Sequence, residues 1–157
     1  MAPKSILVMR HAEKPDNPYN PELSEAGKER AKKLADFIPE EFGSPDFILA
    51  AAVSAHSIRP YETVIPLAKS IDVLIDASFA SSDYSVLAQR LLEKSKYKDS
   101  RVLVCWHHGQ IPPLLDALGA PEGSYPNPWD KHVFNLIIKL RFRDGDVHKV
   151  KEVVEPF

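Results

Sequence analysis

Arginine and histidine stand side by side at Arg10–His11, directly after the apolar run SILVM at 5–9. A chain leaving a buried sheet usually turns through Gly, Asn or Asp, so two side chains able to carry positive charge at such an exit need a chemical reason. Groups of the same type recur downstream: Arg59, reached through SAHSI at 54–58, and His107–His108, directly after RVLVCW at 101–106. Guanidinium forks match the tetrahedral oxygens of a phosphate, and a helix N-terminus beyond Gly109 or near Arg59 would add backbone N–H donors. An unprotonated histidine beside such a clamp could attack phosphorus in line while the arginines balance charge on the equatorial oxygens. That chemistry requires no metal and no organic cofactor.

These residues can act together only if the fold brings them together. The run 5–9 suits a short strand buried on both faces, and the Pro- and Asn-rich stretch PDNPYNP at 15–21 reads as an exposed loop. In LSEAGKERAKKLADFI at 23–38, Ser24 can cap a helix whose apolar positions Ala31, Leu34, Ala35 and Ile38 recur at helical spacing. FILAAAV at 47–53 reads as a second strand, and IRPYETVIPLAKSI at 58–71 as a helix that Pro66 should kink or split. DVLID at 72–76 is a short strand, Asp83 precedes a helix carrying Leu87, Leu91 and Leu92, and 101–106 is a strand again. QIPPLLDALG at 110–119 is a helix with both prolines in its first turn and Gly119 at its end. After a long loop, VFNLIIKLRF, the turn RDGD and HKVKEVV form a C-terminal β-hairpin. Strands alternating with helices predict an α/β sandwich around a mostly parallel sheet, and ligands in such folds bind where strands end at their carboxyl edge.

Bulk properties narrow the partners. A length of 157 residues fits one domain over 1–157, and a formal net charge of −2 without charged blocks argues against a nucleic-acid surface or a membrane-binding patch. Cys105 is the one cysteine, so no intramolecular disulfide or Cys-based zinc cluster can form. The apolar run near the N-terminus is too short for a signal-peptide core or a membrane span, which makes a soluble cytoplasmic protein the expectation.

Four segments carry a family resemblance. RHAEK at 10–14 resembles the Arg-His-Gly signature of the histidine phosphatase superfamily, and LSEAGKERA at 23–31 resembles its Leu-Thr/Ser-x-x-Gly-x-x-Gln-Ala helix start. SAHSIRPYETV at 54–64 is similar to its Ser-x-x-x-Arg-Ala-x-Gln-Thr segment, and VLVCWHHGQI at 102–111 to the strand that ends in His-Gly before a helix. The segments occur in the family's order across nearly the whole chain. The resemblance implies a phosphoglycerate mutase-like fold, a three-layer sandwich with helices on both faces of the sheet, and a covalent phosphohistidine intermediate. It implies His11 as nucleophile, Arg10 and Arg59 as the clamp on the phosphoryl group, and His108 as the second histidine. Strand parity agrees, since Val102, Val104, Trp106 and His108 share one face; parity weakens at a strand end, which leaves His107 as the alternative.

Two departures bear on the site. Ala12 stands where the family has glycine, at a cost of roughly 1 kcal/mol if the position needs positive φ, and Pro60 stands where alanine is common. The general acid has three candidates, Glu13 beside the nucleophile, Asp76 and Asp83, of which Asp83 has the plainer reading of a helix cap. His56 reads as a loop residue near the pocket mouth, Lys14 as a solvated lysine with attraction of phosphate as the alternative, Cys105 as a small buried group, and Tyr125, Trp129 and His132 as loop anchors or entrance residues. The expected function is a metal-independent phosphatase acting on a phosphorylated small molecule, or on a phosphorylated protein such as a phosphohistidine protein. A non-catalytic phosphate-binding relative is the alternative. A mutase is disfavoured because the short 76–87 segment leaves the pocket open. A zinc hydrolase using His11, His56, His107 and His108 lacks any familiar ligand spacing.

Overall fold

The computed structural model describes residues 2–157. The apolar run near the N-terminus forms β1 (Ser5–Arg10), buried along its whole length. Ser24 then caps α1 (Glu25–Phe42), its side chain accepting a hydrogen bond from the Gly27 amide at 3.0 Å. The helix runs on past the expected end at Ile38, through Pro39, and closes at Gly43, whose φ of 83° places it in the left-handed region. β2 (Phe47–Ala50) leads to α2 (Arg59–Ile71), β3 (Ile75–Asp76) and α3 (Tyr84–Glu93). β4 (Arg101–Trp106), α4 (Ile111–Ala117), β5 (Leu136–Arg143) and β6 (Asp146–Val154) complete the chain.

The six strands form one sheet in the order β3-β2-β4-β1-β5-β6. β1, β2, β3 and β4 pair in parallel, whereas β5 runs antiparallel to β1 and to β6, so the C-terminal hairpin extends the sheet at one edge. Alternation along the strands divides the core. Ile6, Val8, Val102, Val104 and Trp106 pack with Leu87, Leu91 and Leu114 from α3 and α4. Leu7, Met9, Leu103 and Cys105 pack with Leu34, Ile38, Val64 and Leu67 from α1 and α2. The result is the expected three-layer α/β sandwich with helices on both faces.

Three local expectations are corrected. β2 ends at Ala50 because the chain turns away there, with the Ala51 amide donating to Cys105 and the Ala52 amide to Phe79. β3 spans only Ile75–Asp76: Asp72 takes a left-handed conformation to end α2, and the Val73 amide is spent on the Ala68 carbonyl. Pro66 does not split α2, which continues from Arg59 to Ile71. Pro66 is half-buried on the helix flank, where water can serve the carbonyl that loses its donor.

Candidate active site

Parallel pairing of β1 with β4 sets Arg10 opposite Trp106. The residues that follow, His11 and His107, therefore leave the carboxyl edge as neighbours, and the His11 amide donates to the Trp106 carbonyl at 3.1 Å. Their rings meet edge to face with centroids 5.3 Å apart. His108, expected as the partner of His11, begins the 3-10 turn His108–Gln110 that follows. The strand stops at Trp106, so its two-residue alternation does not extend to 108, and the parity argument for His108 fails there.

His11 is 2% exposed, and its Nδ1 lies 2.7 Å from the Ala12 carbonyl oxygen. A carbonyl can only accept, so Nδ1 carries the proton and Nε2 keeps its lone pair. Burial lowers the His11 pKa to about 3, with Arg10, His107 and Arg59 adding to the effect. His107 is held down to about 4, again chiefly by burial. Both rings are neutral at pH 7.

The two arginines stand close together but are held differently. Arg10 is 2% exposed, stacks on Phe134 with its Cζ 3.9 Å from the ring centroid, and donates from Nη1 to the Lys131 carbonyl at 2.5 Å. Its Nε is buried without a hydrogen-bond partner. Burial, then Arg59, lower its pKa to about 10, so it stays charged. Arg59 opens α2, with Pro60 tolerated in the first turn, and spends Nε and Nη2 on the carbonyls of Glu22 and Asn20.

Backbone docking holds the 10–13 segment. Thr63, 1% exposed, accepts from the Ala12 amide at 3.0 Å and donates to the Arg59 carbonyl at 2.7 Å. The Glu13 carbonyl accepts from the Ser24 amide at 3.0 Å, and a Cβ on Gly27 would lie 2.5 Å from the same oxygen. Ala12 is buried against Leu23 and Ala31 and is not among the positive-φ residues, so it needs only a small side chain and incurs no backbone cost. In front of this segment opens a pocket of about 520 Å³, with Lys14, His56, Arg59, Lys131 and Phe134 in its walls.

This architecture is shared widely among solved structures. Over 96% of both chains, the protein histidine phosphatase SixA complexed with tungstate superposes with a TM-score of 0.71 at 14% identity. Phosphoserine phosphatase from Entamoeba histolytica, complexed with 3-phosphoglyceric acid, gives 0.61 at 15% identity over 95% of this chain and 97% of that one. Phosphoglycerate mutase from Plasmodium falciparum gives 0.57 at 15% identity over 98% of both. The chain has the phosphoglycerate mutase-like fold. No protein-family model and no curated protein matches the sequence.

Within the phosphoglycerate mutase-like fold, two of the three candidate acids, Glu13 and Asp76, are engaged by partners other than His11. Both Glu13 oxygens are taken by Arg30, Nε to Oε1 at 2.8 Å and Nη2 to Oε2 at 3.2 Å. Arg30 also donates to Glu155 at 2.9 Å and to the Phe157 carbonyl at 2.7 Å, which makes Glu13 one end of a partly buried ion-pair chain. Asp76 accepts from the Ser78 amide and hydroxyl in its own turn. Asp83 is exposed at the start of α3, and its side chain makes no capping bond. Cys105 is fully buried, which pushes its thiol pKa up, and Tyr125 and Trp129 are core anchors. The Trp129 indole donates to Val133 at 3.1 Å and so shapes the loop that carries Lys131 and Phe134. Sequence reasoning overlooked both residues, because that loop has no periodicity to read; the aromatic-rich run YPNPW at 125–129 was the available signal. Among the described residues no three His, Cys, Asp or Glu side chains form a metal-holding group, and no helix is long and apolar enough to cross a membrane.

Proposed function

We propose that the chain is a histidine phosphatase that hydrolyses phosphomonoesters through a phosphohistidine on His11. The observation that carries this reading is the Nδ1 contact to the Ala12 carbonyl at 2.7 Å, which leaves Nε2 unprotonated beside two guanidinium groups. The Nε2 lone pair forms the N–P bond as the bond to the leaving oxygen breaks. Arg10, Arg59 and a ring N–H of His107 supply positive charge and a donor for the equatorial oxygens. Water then attacks phosphorus, the N–P bond breaks, inorganic phosphate departs, and the ring returns neutral while the water's proton passes to solvent. A phosphorylated small molecule is the expected substrate, and the mechanism needs no metal. Incubation with a labelled phosphodonor should trap an acid-labile, alkali-stable phosphoryl group that His11→Ala abolishes. A folded protein that traps none refutes the covalent mechanism.

A second reading, a protein phosphohistidine phosphatase, is favoured by the engagement of Glu13 and Asp76 elsewhere. An alkoxide leaving group needs a proton from a placed acid, a service worth roughly a hundredfold or more. A phosphohistidine whose other ring nitrogen has taken a proton from solvent releases neutral imidazole without a placed acid, and a phenolate leaves an aryl phosphate without one. Asp83→Asn should leave turnover of an alkyl phosphate within about twofold; a hundredfold loss there, with aryl phosphate turnover kept, would restore Asp83 as the acid.

A further inference from the structure

Strand register assembles cations in two rows on the sheet face that carries Leu7 and Leu103. Arg101 of β4, Ser5 of β1, Arg141 of β5 and Lys149 of β6 stand opposite one another in turn, and so do Leu103, Leu7, Lys139 and Lys151 two residues along. At about 4.8 Å between strands and about 7 Å between alternate residues, these cations share an area of about 14 Å by 7 Å. Burial lowers the Lys139 pKa, and Arg141, Lys151, Arg101 and Lys4 lower it further. Among the described residues none of them forms an ion pair. Of the acids around the patch, Asp46 accepts from the Arg101 backbone amide at 2.8 Å, Glu152 stands opposite Ile138 on the other face, and Glu40 and Glu41 are exposed at the end of α1.

Like charges directly opposite across a sheet are destabilising, and here Lys139 faces Lys151 while Arg141 faces Lys149. Lysines on an outer strand can serve to discourage aggregation. That accounts for Lys149 and Lys151 on β6, but not for Lys139 and Arg141 on β5 or Arg101 on β4, strands with a neighbour on each side. β6 is the last strand of the sheet, and the outer edge of Asp146–Val154 bears unpaired backbone groups.

We propose that this face docks a partner protein that adds an extended acidic segment to the outer edge of β6, with carboxylates at alternate residues beside Lys149 and Lys151. Alternate side chains of an added strand share one face at the spacing of those lysines, and main-chain hydrogen bonds to β6 set the register. Lys139 and Arg141 add to the field from the next strand. A nucleic acid would answer the charge but not the open strand edge. Ser5 and Arg101 begin their strands, so the patch lies toward the end of the sheet opposite to His11. The inference is therefore independent of the phosphoryl-site reading.

Fluorescence anisotropy of the full chain at low salt tests it with three labelled probes: an alternating Glu-Thr peptide, a peptide of the same composition with its Glu in one block, and a single-stranded oligonucleotide of equal charge. The alternating peptide should bind roughly tenfold tighter than the blocked one. Lys149→Thr/Lys151→Thr should lose that preference and Lys149→Arg/Lys151→Arg should keep it. Thr suits a strand, and with the opposed charges released the Thr variant should melt no lower than the wild type. Equal binding of the two peptides, or a preference that survives in the Thr variant, would overturn the docking inference. Tighter binding of the oligonucleotide would assign the patch to nucleic acid and overturn the peptide class. In the wild type the bound alternating peptide should also slow hydrogen exchange at β6 amides; unchanged exchange there would overturn strand addition whatever the variants do.

Discussion

Gly27 tests whether backbone docking, and not charge alone, sets the reactivity of His11. In Gly27→Ala the new Cβ would lie 2.5 Å from the Glu13 carbonyl oxygen, 3.0 Å from the Glu13 nitrogen and 3.2 Å from the Leu23 Cβ. The first contact is with backbone, which no side-chain rotation relieves, so α1 and the 11–13 segment must separate by about half an ångström. Overpacking of this kind costs about 1–3 kcal/mol. Alanine returns at most about 1 kcal/mol of helix propensity, and less in a first turn. The net loss of stability should be about 1–2 kcal/mol. The effect on rate should be larger than that loss implies. Glu13 is two residues from His11, whose tautomer is set by the Ala12 carbonyl between them. A misplacement of 1 Å in a reacting geometry costs about a hundredfold, so half of that predicts a loss of about tenfold. The assay is the rapid-quench burst of nitrophenolate from 4-nitrophenyl phosphate, which reads phosphoryl transfer to His11, with chemical denaturation alongside. Glu29→Ala, on the exposed face of the same helix, is the control and should change stability by less than about 0.5 kcal/mol. A Gly27→Ala protein with an undiminished burst rate and a raised melting temperature would show that the contact yields freely and that docking does not position the nucleophile.

Other outcomes follow from the same contacts. Thr63→Val keeps the shape but leaves the buried Ala12 amide without its acceptor, and should cost about 1–3 kcal/mol in denaturation experiments, with Thr63→Ser recovering most of it; an unchanged midpoint in Val refutes the tie between α2 and β1. His11, with its pKa lowered to about 3 by burial, should still show a neutral Nδ1–H ring by 15N chemical shift at pH 5, whereas a midpoint near 6 would contradict the geometry. Glu155 is raised by burial from 4.5 to about 7 despite its Arg30 partner, with Glu13 adding to the rise. Its folded form thus holds a proton that the unfolded chain has already released, so stability should fall as pH rises from about 4.5 to 7, by at most about 3 kcal/mol. Glu155→Gln should flatten that interval, and a wild type that gains stability relative to Gln over the same range refutes it.

What was legible in the sequence was local. The apolar runs of β1 and β4 and the Ser24 cap are patterns a few residues long, and each appears with its expected type. The choice between His107 and His108 depended on where the chain stops being a strand, a matter of one residue that apolar content does not mark. The partners of Glu13 were not legible because Arg30 and Glu155 lie far from it in sequence; the 125 positions that separate Arg30 from Glu155 close only through β6 and the residues after it. Lys131 and Phe134 were missed for the same reason, since Arg10 meets them 121 or more positions away. Side-chain chemistry could be inferred from type and position relative to a strand end; its pairing is a property of the tertiary fold.

The surrounding cations serve two purposes at once in this site. A histidine that is to attack phosphorus must be unprotonated, yet its substrate is an anion that demands positive neighbours. Arg10 and Arg59 satisfy both demands, because the charges that would bind the phosphoryl oxygens also disfavour imidazolium, adding to the burial that is the larger cause. The arrangement is stable only if the guanidinium groups are prevented from collapsing onto nearby carboxylates. Arg10 is held by the Lys131 carbonyl and Phe134, Arg59 by the carbonyls of Glu22 and Asn20, and one of the neighbouring acids, Glu13, is held by Arg30. Neutral carbonyls fix the cations without cancelling their charge. On the proposed mechanism the Arg30 ion-pair chain serves by sequestering a carboxylate: with Arg30 removed, Glu13 would be free to weaken the positive charge that the phosphoryl group needs and that adds to burial in keeping His11 neutral.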